Sequence, residues 1–144
     1  MSDVRQISVF MNNEPGQLAD VIRVLKEEGV NIRALSLADT KDFGILRIIV
    51  NDTDKAMDTV RKAGFAAAAT PIVAISIPDA PGQLSRVLDV LSKNNVNLEY
   101  LYAFTGASDR SVSFVIRVDD NKIASDALTK EGIIQLTEND LSEL

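Results

Sequence analysis

The chain repeats itself. Laid against itself at an offset of 66, residues 7–36 match residues 73–102 at ten of thirty positions. The matches include Pro15/Pro81, Gly16/Gly82, Gln17/Gln83, Leu18/Leu84, Val30/Val96 and Asn31/Asn97. Further on the offset is 68, pairing Ile48/Ile116, Asp52/Asp120, Ala56/Ala124 and Gly64/Gly132. Two residues are therefore inserted in the second copy between Tyr102 and Ser111, in a stretch that reads as a turn. A duplication of this length makes each copy one small supersecondary unit that gains by stacking or fusing with another. The two domains are expected at 1–70 and 71–144, meeting at Thr70-Pro71 with no flexible linker.

Each copy carries the same order of patterns. Residues 6–11 (QISVFM) and 72–77 (IVAISI) are short and β-branched, as strands are. A Pro-Gly pair follows, then apolar residues at helical spacing: Leu18, Val21, Ile22, Leu25 and Leu84, Val87, Leu88, Leu91. Gly29 and the pair Asn94-Asn95 stop these helices, because both residue types tolerate a left-handed backbone. Strands are expected at 31–38 and 97–104, and again at 44–50 and 112–118. Asp52 and Asp120 read as N-caps of second helices closing at Gly64 and Gly132. Last strands are expected at 65–69 and 133–137. The fold class is α+β: two tandem ferredoxin-like βαββαβ units, with antiparallel sheets and helices on one face. The acidic end, TENDLSEL, reads as a solvated tail.

Composition then removes whole classes of chemistry. With no Cys and no His there is no thiolate, no Ser-His-Asp triad, and no Cys- or His-based metal site. The expectation is no cofactor, no metal and no catalytic residue. The net charge of −6 and only seven aromatic residues argue against nucleic acid as a partner. No apolar run approaches the ~20 residues that span a bilayer, so no membrane is expected. The N-terminus lacks the pattern of a secretory signal, which leaves a cytoplasmic location as the default.

What remains is the segment from each Pro-Gly to the following Asn. Its structural reading is a strand-to-helix turn, with Pro setting φ, Gly permitting close approach, and Asn13 or Asp79 capping the helix. Its functional reading adds an anion site. The free N–H groups of Gly16, Gln17 and Leu18, or of Gly82, Gln83 and Leu84, suit a carboxylate. Asn31 and Asn97 stand sixteen residues after each Pro. Each either ties its turn to its own backbone or offers an amide to a ligand held by another subunit's loop. Asp79 adds a charge suited to an ammonium group, and Tyr100 and Tyr102 replace Ala34 and Ser36, so the second copy looks better equipped.

The motif D/N-x-P-G-x-L, an amphipathic helix and V-N-I/L, placed twice in a βαββαβ unit, resembles the ACT domain. The resemblance covers essentially the whole chain and extends to small stand-alone proteins made of two ACT domains. It implies a regulatory module that binds a free amino acid near domain interfaces, working as a homodimer, with a separate enzyme as a possible partner. In serine-sensing relatives, polar residues four and two before the Pro and the Asn sixteen after it hold the effector. Here these are Met11 and Ile77, Asn13 and Asp79, and Asn31 and Asn97. The apolar Met11 and Ile77 depart from that pattern and imply an effector less polar than serine. Two alternatives stay open: a non-catalytic regulatory subunit of an amino-acid biosynthetic enzyme, or a small enzyme of acylphosphatase type. The second would need an Arg at the first loop, and none lies in residues 12–18 or 78–84.

Overall fold

The computed structural model describes residues 4–12, 14–39, 43–105 and 110–142. It forms two compact units: Arg5–Thr70, which Leu141 joins, and Pro71–Asp140, which Val4 joins. The first contains β1 (Val4–Asn12), α1 (Gln17–Glu27), β2 (Ile32–Asp39), β3 (Phe43–Val50), α2 (Thr53–Lys62) and the opening of β4 (Ala66–Pro78). The remainder of β4 begins the second unit, followed by α3 (Gln83–Lys93), β5 (Leu98–Ala103), β6 (Ser111–Val118), α4 (Asn121–Lys130) and β7 (Ile134–Leu136). A short α5 (Glu138–Ser142) ends the described chain.

In the first unit β3 pairs antiparallel with both β1 and β2, and the order is β2-β3-β1-β4. In the second, β4 pairs antiparallel with β6 and β7, and β5 lies outside β6. Period-two alternation puts Ile7, Val9 and Met11 of β1 into one core with Leu46, Ile48, Val21, Leu25, Ala56 and Val60. The second core repeats this with Val73, Ile75, Ile77, Ile116, Val87, Leu91, Ala124 and Leu128. Each unit therefore carries its two helices against one face of its sheet, as the α+β reading requires.

The helix ends follow from the residues read in the sequence. Asp52 accepts from the Lys55 amide at 3.2 Å, and Asp120 from the Ile123 amide at 3.0 Å. Past α1, the Val30 amide bonds Leu25 O and the Gly29 amide bonds Lys26 O, the two bonds of a Schellman close. Past α3, Val96 and Asn95 make the same bonds to Leu91 O and Ser92 O. Asn95, at φ 57°, takes the left-handed place that Gly29 holds at 72°.

Two expectations change. The strands at 65–69 and 72–77 are one continuous strand, β4. Nothing between them turns the chain, and Pro71 holds Thr70 in extended geometry. The acidic C-terminus is not simply a solvated tail. Thr137 N donates to Asp140 Oδ2 at 2.8 Å while Asp140 N donates to Thr137 Oγ1 at 3.2 Å, a reciprocal cap that starts α5. Leu141 on that helix is buried.

Candidate functional site

Both Pro-Gly turns are built alike. Glu14 N donates to Asn12 O, Gln17 N to Glu14 O and Asp20 N to Gly16 O; Ala80, Gln83 and Arg86 repeat these bonds on Pro78, Ala80 and Gly82. Gly16 and Gly82 are the N-caps, at φ 87° and 88°, and among the described residues neither helix has a side-chain cap. Asp79 therefore does not cap α3, contrary to the expectation, and Asn13 lies outside the described residues. A Cβ at Gly16 or Gly82 would meet nothing within 4 Å. Glycine is required by the left-handed backbone, not by crowding, and the ground before each helix is open.

An uncapped start leaves amide N–H groups over. Among the described residues, the amides of Gly16, Leu18 and Ala19 have no acceptor, nor do those of Gly82, Leu84 and Ser85. Gln17 and Gln83 differ from the expected role, because each amide already donates within the turn at 3.3 Å. Each site thus offers up to three backbone donors at the positive end of an eleven-residue helix dipole. Asp79 stands at the second turn as an exposed carboxylate, its own amide donating to Arg110 O at 2.9 Å.

Asn31 and Asn97 lie at the other end of α1 and α3, about 16 Å away at 1.5 Å per residue. Their backbones are clasped: Asn31 N donates to Asn51 Oδ1 and Asn97 N to Asp119 Oδ1. Both side chains are exposed, and among the described residues neither amide has a hydrogen-bond partner. A single unit does not bring Asn and Pro-Gly turn together. Met11 and Ile77, buried at 7% and 4% exposure, belong to the two cores, and Met11 also lines the cavity described below. Tyr100 and Tyr102 stack with ring centroids 6.4 Å apart on the face of β5 opposite Leu101.

A feature not anticipated lies beside the first turn. Phe10 and Asn12 of β1, Gln17 of α1, Phe43 of β3, and Phe65 and Ala66 line a cavity of about 660 Å³. Phe10 and Phe43 are 44% and 53% exposed. The second copy has Ser76 and Ile133 where the first has Phe10 and Phe65. Ser111 pairs with Pro78 as Phe43 pairs with Asn12. The signal is in the sequence: an aromatic residue in one copy against Ser in the other, at positions that alternation along β1 turns away from Ile7, Val9 and Met11.

The arrangement suits an anion through its backbone amides, and among the described residues it places no nucleophile beside a base. Among the described residues no group of three acidic side chains could hold a metal ion, and no helix is long and apolar enough to cross a membrane.

A family model described as an ACT domain pair matches residues 2–144. A solved protein of Bacteroides thetaiotaomicron is 37% identical, with 99% of this chain and 97% of that one covered and a TM-score of 0.92. The regulatory subunit of aspartate kinase from Thermus thermophilus, solved without ligand, is 18% identical over 90% of this chain and 93% of that one, at a TM-score of 0.67. The corresponding subunit from Thermus flavus is 18% identical over the same shares, at a TM-score of 0.61. No curated protein matches the chain.

Proposed function

Because this chain belongs to the ACT domain-pair family, we propose that it is a regulatory module that binds a free α-amino acid at its Pro-Gly turns. The observation that carries this reading is the matched pair of uncapped helix starts, at φ 87° and 88°, each with unsatisfied amides facing open ground. An α-carboxylate would accept from Gly16 and Leu18, or from Gly82 and Leu84. Gln17 and Gln83 would shape the turn. In the second copy Asp79 would hold the ammonium group. Asn13 would take the neutral version of that role in the first.

A second wall is needed, since Asn31 and Asn97 sit at the far helix ends. We infer that a homodimer supplies it. β2 and β5 stand at the ends of the strand order, and Leu35 and Leu37 on β2 are 41% and 50% exposed. Unpaired edges of this kind are templates for another chain. Pairing along Leu35–Leu37 and Leu101–Ala103 would carry the partner subunit's Asn31 or Asn97 toward a Pro-Gly turn. The chain would not turn over a substrate itself. It would pass its ligand state to a separate protein, for which a cytoplasmic amino-acid biosynthetic enzyme is the fitting class.

Calorimetric titration of the intact protein with each free amino acid tests this. At least one should bind with Kd of roughly μM to mM, that is about −8 to −4 kcal/mol. Asp79→Ala should weaken it in one class of sites. Absence of heat with every amino acid would remove the reading.

A further inference from the structure

The cavity beside the first Pro-Gly turn carries information about the effector that the turn itself does not. Its volume of about 660 Å³ falls in the range of small-molecule sites, ~300–1,000 Å³. Among the described residues its walls contain no charged side chain: the polar groups are the amides of Asn12 and Gln17, and the rest is Phe10, Phe43, Phe65 and small or apolar residues. A cationic or anionic side chain placed there would find no counter-charge among these residues. Three phenyl rings offer the opposite, apolar area with edges and faces for another ring.

The two copies differ at these rings. Phe65 packs against the core, but Phe10 and Phe43 stand out from it at 44% and 53% exposure. The second copy, with the same turn geometry, has Ser at both equivalent places. Neither Phe is needed to build a Pro-Gly turn.

We propose that the first copy takes an amino acid with a large uncharged apolar side chain, aromatic or long aliphatic, seated among Phe10, Phe43 and Phe65. This rests on the reading that the turn holds the α-carboxylate. The two copies would then differ in selectivity, the first through its rings and the second through Asp79.

The test is calorimetry of the full chain with phenylalanine, tyrosine, leucine, methionine, serine, lysine and aspartate, on the native protein and on Phe43→Ser, Phe10→Ser and Phe43→Leu. Both positions are exposed, so substitution should leave the fold intact, and circular dichroism checks that. The large apolar ligands should bind one class of sites at least about tenfold more tightly than serine, lysine or aspartate. Phe43→Ser and Phe10→Ser should each weaken them by about tenfold, while Phe43→Leu keeps affinity within about threefold. If an amino acid binds but serine, lysine or aspartate is preferred, or if both Ser variants keep native affinity, the pocket assignment is overturned while the turn reading stands. If the Ser variants instead change the sedimentation of the ligand-free protein, the rings serve a protein contact and the proposal is overturned. If none of the seven binds but another amino acid does, the proposal falls alone. If no amino acid binds at all, it falls together with the reading beneath it.

Discussion

Asn31 and Asn51 hold each other reciprocally: the Asn31 amide donates to Asn51 Oδ1 at 2.9 Å, and the Asn51 amide donates to Asn31 O at 3.1 Å. Asn97 and Asp119 repeat the clasp at 3.0 and 3.1 Å. In both, the second residue contributes its side chain and the first contributes only backbone. Stability and ligand contact are thereby divided between neighbours, and mutation can separate them. Asn51→Ala should cost about 1 kcal/mol, the net worth of one hydrogen bond, read as a lower midpoint in urea. Asn31→Ala should leave the midpoint unchanged, because its side chain makes no bond among the described residues. Equal losses from both variants would contradict this division.

Gly16 and Gly82 are constrained by φ alone. Replacing either by Ala introduces no clash within 4 Å, so the cost is that of a left-handed non-glycine residue, about 1–2 kcal/mol. Gly82→Ala should lower thermal stability by a few degrees and blunt ligand binding in the same copy. A variant as stable as the native protein would show that the turn has another accessible shape.

Leu141 is 1% exposed on α5. Leu141→Ala should cost about 2–5 kcal/mol, the usual range for a buried Leu. A solvated tail would show no change in the denaturation curve.

Exposed edge leucines are the simplest probe of assembly. Leu35→Arg with Leu37→Arg should leave the fold intact, since both side chains are outside the buried core. It should convert a dimer to a monomer in sedimentation at tens of micromolar. A native protein that is already monomeric there, with and without amino acids, would remove the second wall from the proposed site.

Much of the fold was legible because its rules are local. Gly29 and Asn95 mark helix ends through left-handed backbone, and Asp52 and Asp120 through side-chain caps; the repeat supplied each signal twice. What was not legible depended on tertiary placement. Thr137 and Asp140 looked like part of an acidic tail because a five-residue helix has no periodicity to read, and only the fold shows what buries Leu141. Asp79 looked like a cap because Asp caps helices, but the left-handed Gly82 takes that place without any side-chain bond. Met11 and Ile77 fall at a ligand-contact position of the pattern the chain resembles, and strand alternation turns both into the cores. The Phe10–Phe43–Phe65 cavity joins the end of β1, the start of β3 and the residue before β4, which are far apart in sequence, so no spacing rule reaches it.

The most direct measurement is a thermal-shift screen of the native protein and the Asn31→Ala, Asn97→Ala double variant against the twenty free amino acids. An effector at ~100 times its Kd stabilises the folded state by about 2.7 kcal/mol, which for a chain of this size is a rise of roughly 5–10 °C. The expected result is such a rise with at least one amino acid, greatly reduced in the double variant, whose unliganded melting temperature matches the native one. No rise with any amino acid, or a full rise that survives the double substitution, would contradict amino-acid sensing at these sites.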